Sequence, residues 1–177
     1  MIQNYIIYKV LMEFFDSPTK RFQLREISRR VKLGLPSVIN HVNALKKGGF
    51  VRQVSIGIHK FYIANKEDPK YKLYKKLDMI RRVNESGLLD CLEKRLSYPS
   101  AVILFGSAAY GEDIEKSDID IAILAKETSL GLQKYENALK RKIQLHFFKD
   151  TSEMEKNREL FNNIINGVIL YGFVKVV

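Results

Sequence analysis

The sequence predicts an α+β protein in two parts, and three observations carry that prediction. The first 66 residues space their apolar side chains as three helices and then as a two-stranded hairpin. From residue 98 onward, short β-prone runs alternate with helical ones, the pattern of an α/β layer. Between them lies a lysine-, leucine- and tyrosine-rich stretch, 67–97, expected to be a helical linker and the first helix of the next domain. A chain of 177 residues has room for both domains.

The elements follow in order. Ile6, Ile7, Val10, Leu11 and Phe14 recur at helical spacing, and "DSPTKRF" breaks that helix. Leu24, Ile27 and Val31 mark a second, short helix in "LREISRRV". In "KLGLPSVINHVNALKKGGF", Pro36 suits a first helical turn, where its missing N–H costs nothing. Val38, Val42 and Leu45 form the buried face of that helix, and Gly48-Gly49 ends it. The runs 51–56 and 60–64, joined around Gly57, predict the hairpin. Tyr71, Tyr74 and Leu77 continue helical spacing until "NESG" interrupts, and 87–97 resumes as helix. Strands are expected at 101–105, 119–125, 143–148 and 168–174, with helices at 130–139 and 152–165.

Composition narrows the function classes. An apolar fraction of 46% suits a packed protein, and no apolar run nears the roughly 18–20 residues that span a bilayer. No membrane partner is therefore expected. The first ten residues lack the basic region and cleavage pattern of a signal peptide. Cys91 is the single cysteine, it sits among leucines as a core residue would, and a lone thiol fits a reducing cytoplasm. No Cys/His cluster suggests a zinc site. The net charge of +10 is uneven: residues 1–66 carry +9, 67–97 carry +2 and 98–177 carry −1. A basic first third points to an anionic partner.

Two short helices joined by a tight turn, with a hairpin after them, resemble a winged helix-turn-helix domain over residues 1–66. The resemblance implies double-stranded DNA as partner, read by the helix at 36–47. Its face away from the core shows Ser37, Asn40, His41 and Asn43. Asn pairs bidentately with adenine, and Ser takes base edges or phosphate. Arg25, Arg29, Arg30, Lys46, Lys47, Arg52 and Lys60 are placed for phosphates, which hold register without reading sequence. His41 reads equally as a core-edge residue, and Ile39 is expected on the exposed side. Winged-helix regulators commonly act as symmetric dimers, so a homodimer is expected.

The chemistry-bearing stretch is 104–124, "LFGSAAYGEDIEKSDIDIAIL". A strand ends at Gly106-Ser107, where glycine lets backbone N–H approach a phosphate and the hydroxyl can donate to one. After ten intervening residues, Asp118 and Asp120 alternate with Ile119, so both carboxylates share one strand face. Facing carboxylates repel unless a cation neutralises them. A hard ion such as Mg²⁺ does so and takes nucleotide phosphates as further ligands. Alone, "SDID" reads as a turn leading into a strand; the Gly-Ser turn at that distance favours the metal reading.

This stretch closely resembles the minimal nucleotidyltransferases of the polymerase-β superfamily. Their motif is a hydrophobic residue, Gly, Gly or Ser, about ten residues, then Asp-x-Asp. The resemblance covers 87–177 and implies an α/β nucleotidyltransferase domain with a mixed sheet. It implies that Gly106, Ser107, Gly111 and Ser117 serve an NTP, and that Asp118 and Asp120 are catalytic carboxylates ligating Mg²⁺ or Mn²⁺. Metal ions in such sites stabilise attacking and leaving oxygens. Tyr110, Tyr171 and Phe173 can stack on a base or pack in the core.

One part departs from the family pattern. A third carboxylate is usual on a later strand, but "KRKIQLHFFKD" offers Gln144 and His146 there, and Asp150 lies past the strand. Gln cannot act as a base; His can near neutral pH but is a poor Mg²⁺ ligand. Where many relatives carry a basic residue after the serine, this chain has Ala108-Ala109-Tyr110. Two functions follow. One is a DNA-binding protein with a nucleotidyltransferase-like domain that transfers NMP to a hydroxyl. The other is a transcriptional regulator whose inactive nucleotidyltransferase domain senses a nucleotide.

Overall fold

The structure is a computed structural model and describes residues 5–175. The chain divides into two compact units, one reaching Lys75 and the other beginning at Lys76.

The first unit opens with α1 (Ile6–Asp16), α2 (Leu24–Val31) and α3 (Leu35–Lys47). α1 buries Val10, Leu11, Phe14 and Phe15. α2 ends on Lys32 in the left-handed conformation, and Leu33 N–H donates to Ser28 O (3.1 Å), closing the turn towards α3. Strands β1 (Val51–Ile56) and β2 (His59–Ala64) pair antiparallel around a two-residue loop, Gly57-Ile58. Phe22, in the segment expected only to break α1, also pairs with Tyr62: Phe22 N donates to Tyr62 O at 2.9 Å and Tyr62 N to Phe22 O at 2.8 Å. The hairpin is thereby tied to the α1–α2 connection. Phe14 meets Phe22 edge-on with ring centroids 5.2 Å apart, and each such buried aromatic contributes about 1.5–3 kcal/mol. α4 (Pro69–Glu85) adds Tyr71, whose hydroxyl donates to Phe14 O at 2.8 Å.

The second unit holds a four-stranded mixed sheet of order β5-β4-β3-β6. Its members are β3 (Ala101–Phe105), β4 (Ile119–Leu124), β5 (Ile143–Phe148) and β6 (Val168–Gly172). β3 runs antiparallel to β4 and β6, whereas β4 and β5 are parallel. Side chains alternate across the sheet. On one face, Val102, Leu104, Ile119, Ile121 and Ile123 join Met79 and Val83 of α4 and the leucines of α5 (Leu88–Arg95). Tyr135 and Leu139 of α7 (Gln133–Leu139) complete that core. On the other face, Ile103, Phe105, Ala122 and Leu124 pack with Met154 and Ile164. The sheet is therefore covered on both sides.

Three expected elements differ in extent. The helix expected at 152–165 is two, α8 (Thr151–Glu155) and α9 (Arg158–Ile165). Asn157 divides them, accepting Leu160 N–H at 3.1 Å as an N-cap. The helix expected from 130 starts at Gln133 instead. The last strand stops at Gly172, whose φ is +70° and where a Cβ would lie 2.1 Å from Ser100 O. A side chain cannot be housed there, and the chain turns away.

Candidate functional site

β3 delivers the chain to Gly106, the first residue of α6 (Gly106–Tyr110), which Gly111 caps. Gly106 has φ +69°, and a Cβ there would stand 2.7 Å from Asp120 Oδ2. A side chain at position 106 is therefore strained by the backbone conformation and would also displace the carboxylate beside it. The close approach follows from register, since Phe105 is the lateral partner of Asp120 in the β3–β4 pair. The Gly-Ser turn and the Asp-x-Asp pair, ten residues apart in sequence, meet in space. Ser107 sits in the first turn of α6, half-buried.

Asp118 stands immediately before β4 and Asp120 is its second residue. Every other β4 residue is buried, so Asp120 is the one charge on a strand otherwise covered on both faces. Its side chain remains 27% exposed, so the carboxylate is open to a ligand at the edge of the core. β5 supplies two groups. Gln144, the lateral partner of Asp120, donates from Nε2 to Asp118 Oδ2 at 2.5 Å. His146 Nε2 lies 3.6 Å from Asp120 Oδ1, beyond hydrogen-bond length, and is buried without a hydrogen-bond partner. Its ring packs edge-on against Phe105, centroids 5.1 Å apart. Strand β5 thus meets each carboxylate with a polar side chain that is not an acid, and Asp150 is engaged elsewhere as the N-cap of α8, accepting Glu153 N–H at 2.9 Å.

The donor set fits a divalent cation in part. Asp118 and Asp120 are hard oxygen ligands beside a cradle that a Cβ would fill, which suits Mg²⁺ or Mn²⁺. Among the described residues no cluster of three His, Cys, Asp or Glu gathers, so the two carboxylates would supply only part of such an ion's coordination.

Other residues singled out by the sequence fall in distinct places. Ser117 Oγ accepts Ile114 N–H at 2.9 Å and Ser117 N–H donates to Ile114 O at 3.0 Å, so it ties the loop before Asp118 and keeps its own hydroxyl proton to donate. Tyr110 is partly exposed on α6. Tyr171 and Phe173 line a cavity of about 420 Å³ with Lys149, Lys175 and Leu124. Leu124 ends β4, five residues and about 17 Å of strand from Ile119, so these rings stand at the far end of the sheet from the aspartates. In the first unit, Asn40, Asn43, Lys46, Arg25, Arg52 and Lys60 are exposed, while Ser37 and His41 are half-buried. Ile39 is also half-buried, contrary to its expected exposure. Arg30 is engaged internally, with Glu13 and over the Phe22 ring. The reading of the sequence passed over Asp113 and Arg141, which pair at 3.6 Å, 2% and 8% exposed at the side chain. A lone aspartate between exposed neighbours carries no periodic signal that would have found it.

Residues 88–173 match the family described as polymerase beta, nucleotidyltransferase, which supports placing this part of the chain in the nucleotidyltransferase superfamily. No curated protein matches the chain. Among the described residues, no helix is long and apolar enough to cross a membrane.

Proposed function

We propose that the protein is a nucleotidyltransferase carried on a DNA-binding domain. An NTP places its phosphates on the Gly106-Ser107 turn, while Asp118 and Asp120 hold a Mg²⁺ or Mn²⁺ ion. That ion, when bound, supplies positive charge against the triphosphate and the leaving pyrophosphate. An acceptor hydroxyl bonds to the α-phosphorus, the bond to the β-phosphate bridging oxygen breaks, and pyrophosphate departs. The hydroxyl proton is lost towards β5, where His146 offers its imidazole beside Asp120. The observation that carries this reading is the fit of Gly106 against Asp120, which puts a phosphate-compatible turn and a carboxylate side by side.

The first unit supports a winged helix-turn-helix that binds duplex DNA. Its helices α2 and α3 are joined by a tight turn, its hairpin follows, and residues 1–66 carry +9. Two copies on a symmetric site are the arrangement such a domain favours.

Incubation of the full chain with α-³²P-NTPs and Mg²⁺ or Mn²⁺, with protein and nucleic-acid acceptors, tests the transfer. Label that survives Asp118→Ala with Asp120→Ala would refute the assignment of the metal site. A second reading, a regulator whose inactive domain senses a nucleotide, is favoured by Gln144 and His146 standing where a third acid is usual. Nucleotide binding without any label transfer would select it.

A further inference from the structure

Loop 112–118 connects α6 to β4 and ends at Asp118, so its shape sets where that carboxylate points. Glu112, Ile114 and Lys116 are exposed, Glu115, Ser117 and Asp118 are half-buried and Asp113 is buried, and the loop contains no helix or strand. Two things hold it. One is the local turn closed by Ser117 on Ile114. The other comes from outside: Arg141, next to the start of β5, reaches into the loop. Its Nη1 donates to Glu115 O at 2.9 Å, and its Nη2 lies 3.6 Å from Asp113 Oδ2. The guanidinium is 8% exposed and the Asp113 side chain 2%, so the pair is shielded from water and from salt. The next residue, Lys142, accepts Ile119 N–H on its carbonyl at 2.8 Å. The chain at 141–142 therefore grips the loop by a side chain and the start of β4 by its backbone, on both sides of Asp118.

From this geometry we infer that Arg141 is a positioning residue for the nucleotide site: it clamps loop 112–118 and so fixes Asp118. The inference rests on the reading of the Gly106–Asp120 hairpin as a nucleotide site. A guanidinium suits the task because its planar fork serves a carbonyl and a carboxylate at once, whereas an ammonium is a single point of charge. Groups that orient a metal's ligands from behind typically cost 10–100-fold in affinity when altered.

The test compares Arg141→Lys with the unaltered full-length chain. Lys keeps the positive charge near Asp113 and loses the second arm to Glu115. Amide hydrogen exchange is followed by mass spectrometry, and Kd is measured for Mn²⁺ with a fluorescent ATP analogue. The expected result is exchange roughly tenfold faster across 112–118, no change elsewhere in the second unit, and a Kd raised about tenfold. Unchanged exchange in 112–118 overturns the inference. So does faster exchange throughout the unit, which would make Arg141 a general stabiliser. A loosened loop with unaltered Kd overturns it as well. Asp113→Asn, which keeps the shape and removes the charge attraction, is the second variant if Arg141→Lys does not fold, with the same readings. Should the unaltered chain fail to bind Mn²⁺ with the ATP analogue, the nucleotide-site reading falls, and the exchange measurement alone decides whether Arg141 clamps the loop.

Discussion

Replacing Gly106 with alanine separates the two demands at that position. The backbone there has φ +69°, and holding a residue with a Cβ in that region costs about 1–2 kcal/mol. For a unit of this size each kcal/mol lowers Tm by roughly 4–8 °C, so the expected fall is about 4–16 °C. The second demand is spatial. The new Cβ would stand 2.7 Å from Asp120 Oδ2, where ordinary contact begins at 3.4 Å, so the carboxylate must retreat by about 0.7 Å. That oxygen ends a side chain able to rotate, and the retreat therefore adds little to the cost in stability. It acts on the site instead, where a misplacement on the order of 1 Å can cost about 100-fold. Binding of Mn²⁺ with an ATP analogue should weaken at least about tenfold, beyond what the lower stability explains. The assay is thermal melting beside equilibrium titration, repeated in an Asp120→Ala background. There the stability loss should persist, because the backbone strain persists, and the effect on binding should vanish. A Gly106→Ala protein that melts lower but binds the nucleotide as tightly as the unaltered chain would refute the claim that the turn and Asp120 form one site.

Three further outcomes are expected. Gln144→Glu places a carboxylate beside Asp120 in register and removes the amide donor from Asp118; label transfer from α-³²P-NTP with Mn²⁺ should rise at least roughly tenfold if a third acid is the limiting part. Arg52→Ala with Lys60→Ala removes two exposed charges from the hairpin; duplex DNA binding should weaken for all sequences alike, and the slope of log K against log salt should shrink by about 0.9 for each phosphate that is no longer neutralised. Gly172→Ala would set a Cβ 2.1 Å from the Ser100 carbonyl oxygen, a backbone atom with nowhere to go; a loss of roughly 3 kcal/mol or more, read as a denaturation midpoint, is the expected result.

What could be read from the sequence, and what could not, divides along local and non-local physics. Helical spacing in α1 and α3, and the uninterrupted "AVILF" of β3, are local patterns that burial imposes on neighbouring residues. The break between α8 and α9 escaped because Met154, Phe161 and Ile164 keep apolar spacing (i, i+7, i+10) across it, so the cap at Asn157 is what marks the boundary. The Phe22–Tyr62 bridge escaped because pairing of a single residue has no period. At the site, the approach of Gly106 to Asp120 was foreshadowed by motif spacing, since one antiparallel pair of strands holds both. The contacts of Gln144 with Asp118, of His146 with Asp120 and of Arg141 with the loop depend on the register of the parallel pair β4–β5. No short stretch of sequence encodes that register.

Because β3 and β4 are antiparallel and adjacent, the turn and both aspartates belong to one continuous stretch of about twenty residues, whereas Gln144 and His146 arrive on a different strand. The two parts are therefore separate in sequence and meet only through contacts between neighbouring strands. On the proposed reading, changes within 104–124 act on the turn and the carboxylates themselves. Changes at 144 and 146 leave that stretch of chain in place and act on it from the neighbouring strand, position 144 through its bond to Asp118. The step between a transferase and a sensor, on the same reading, runs through two positions on one strand.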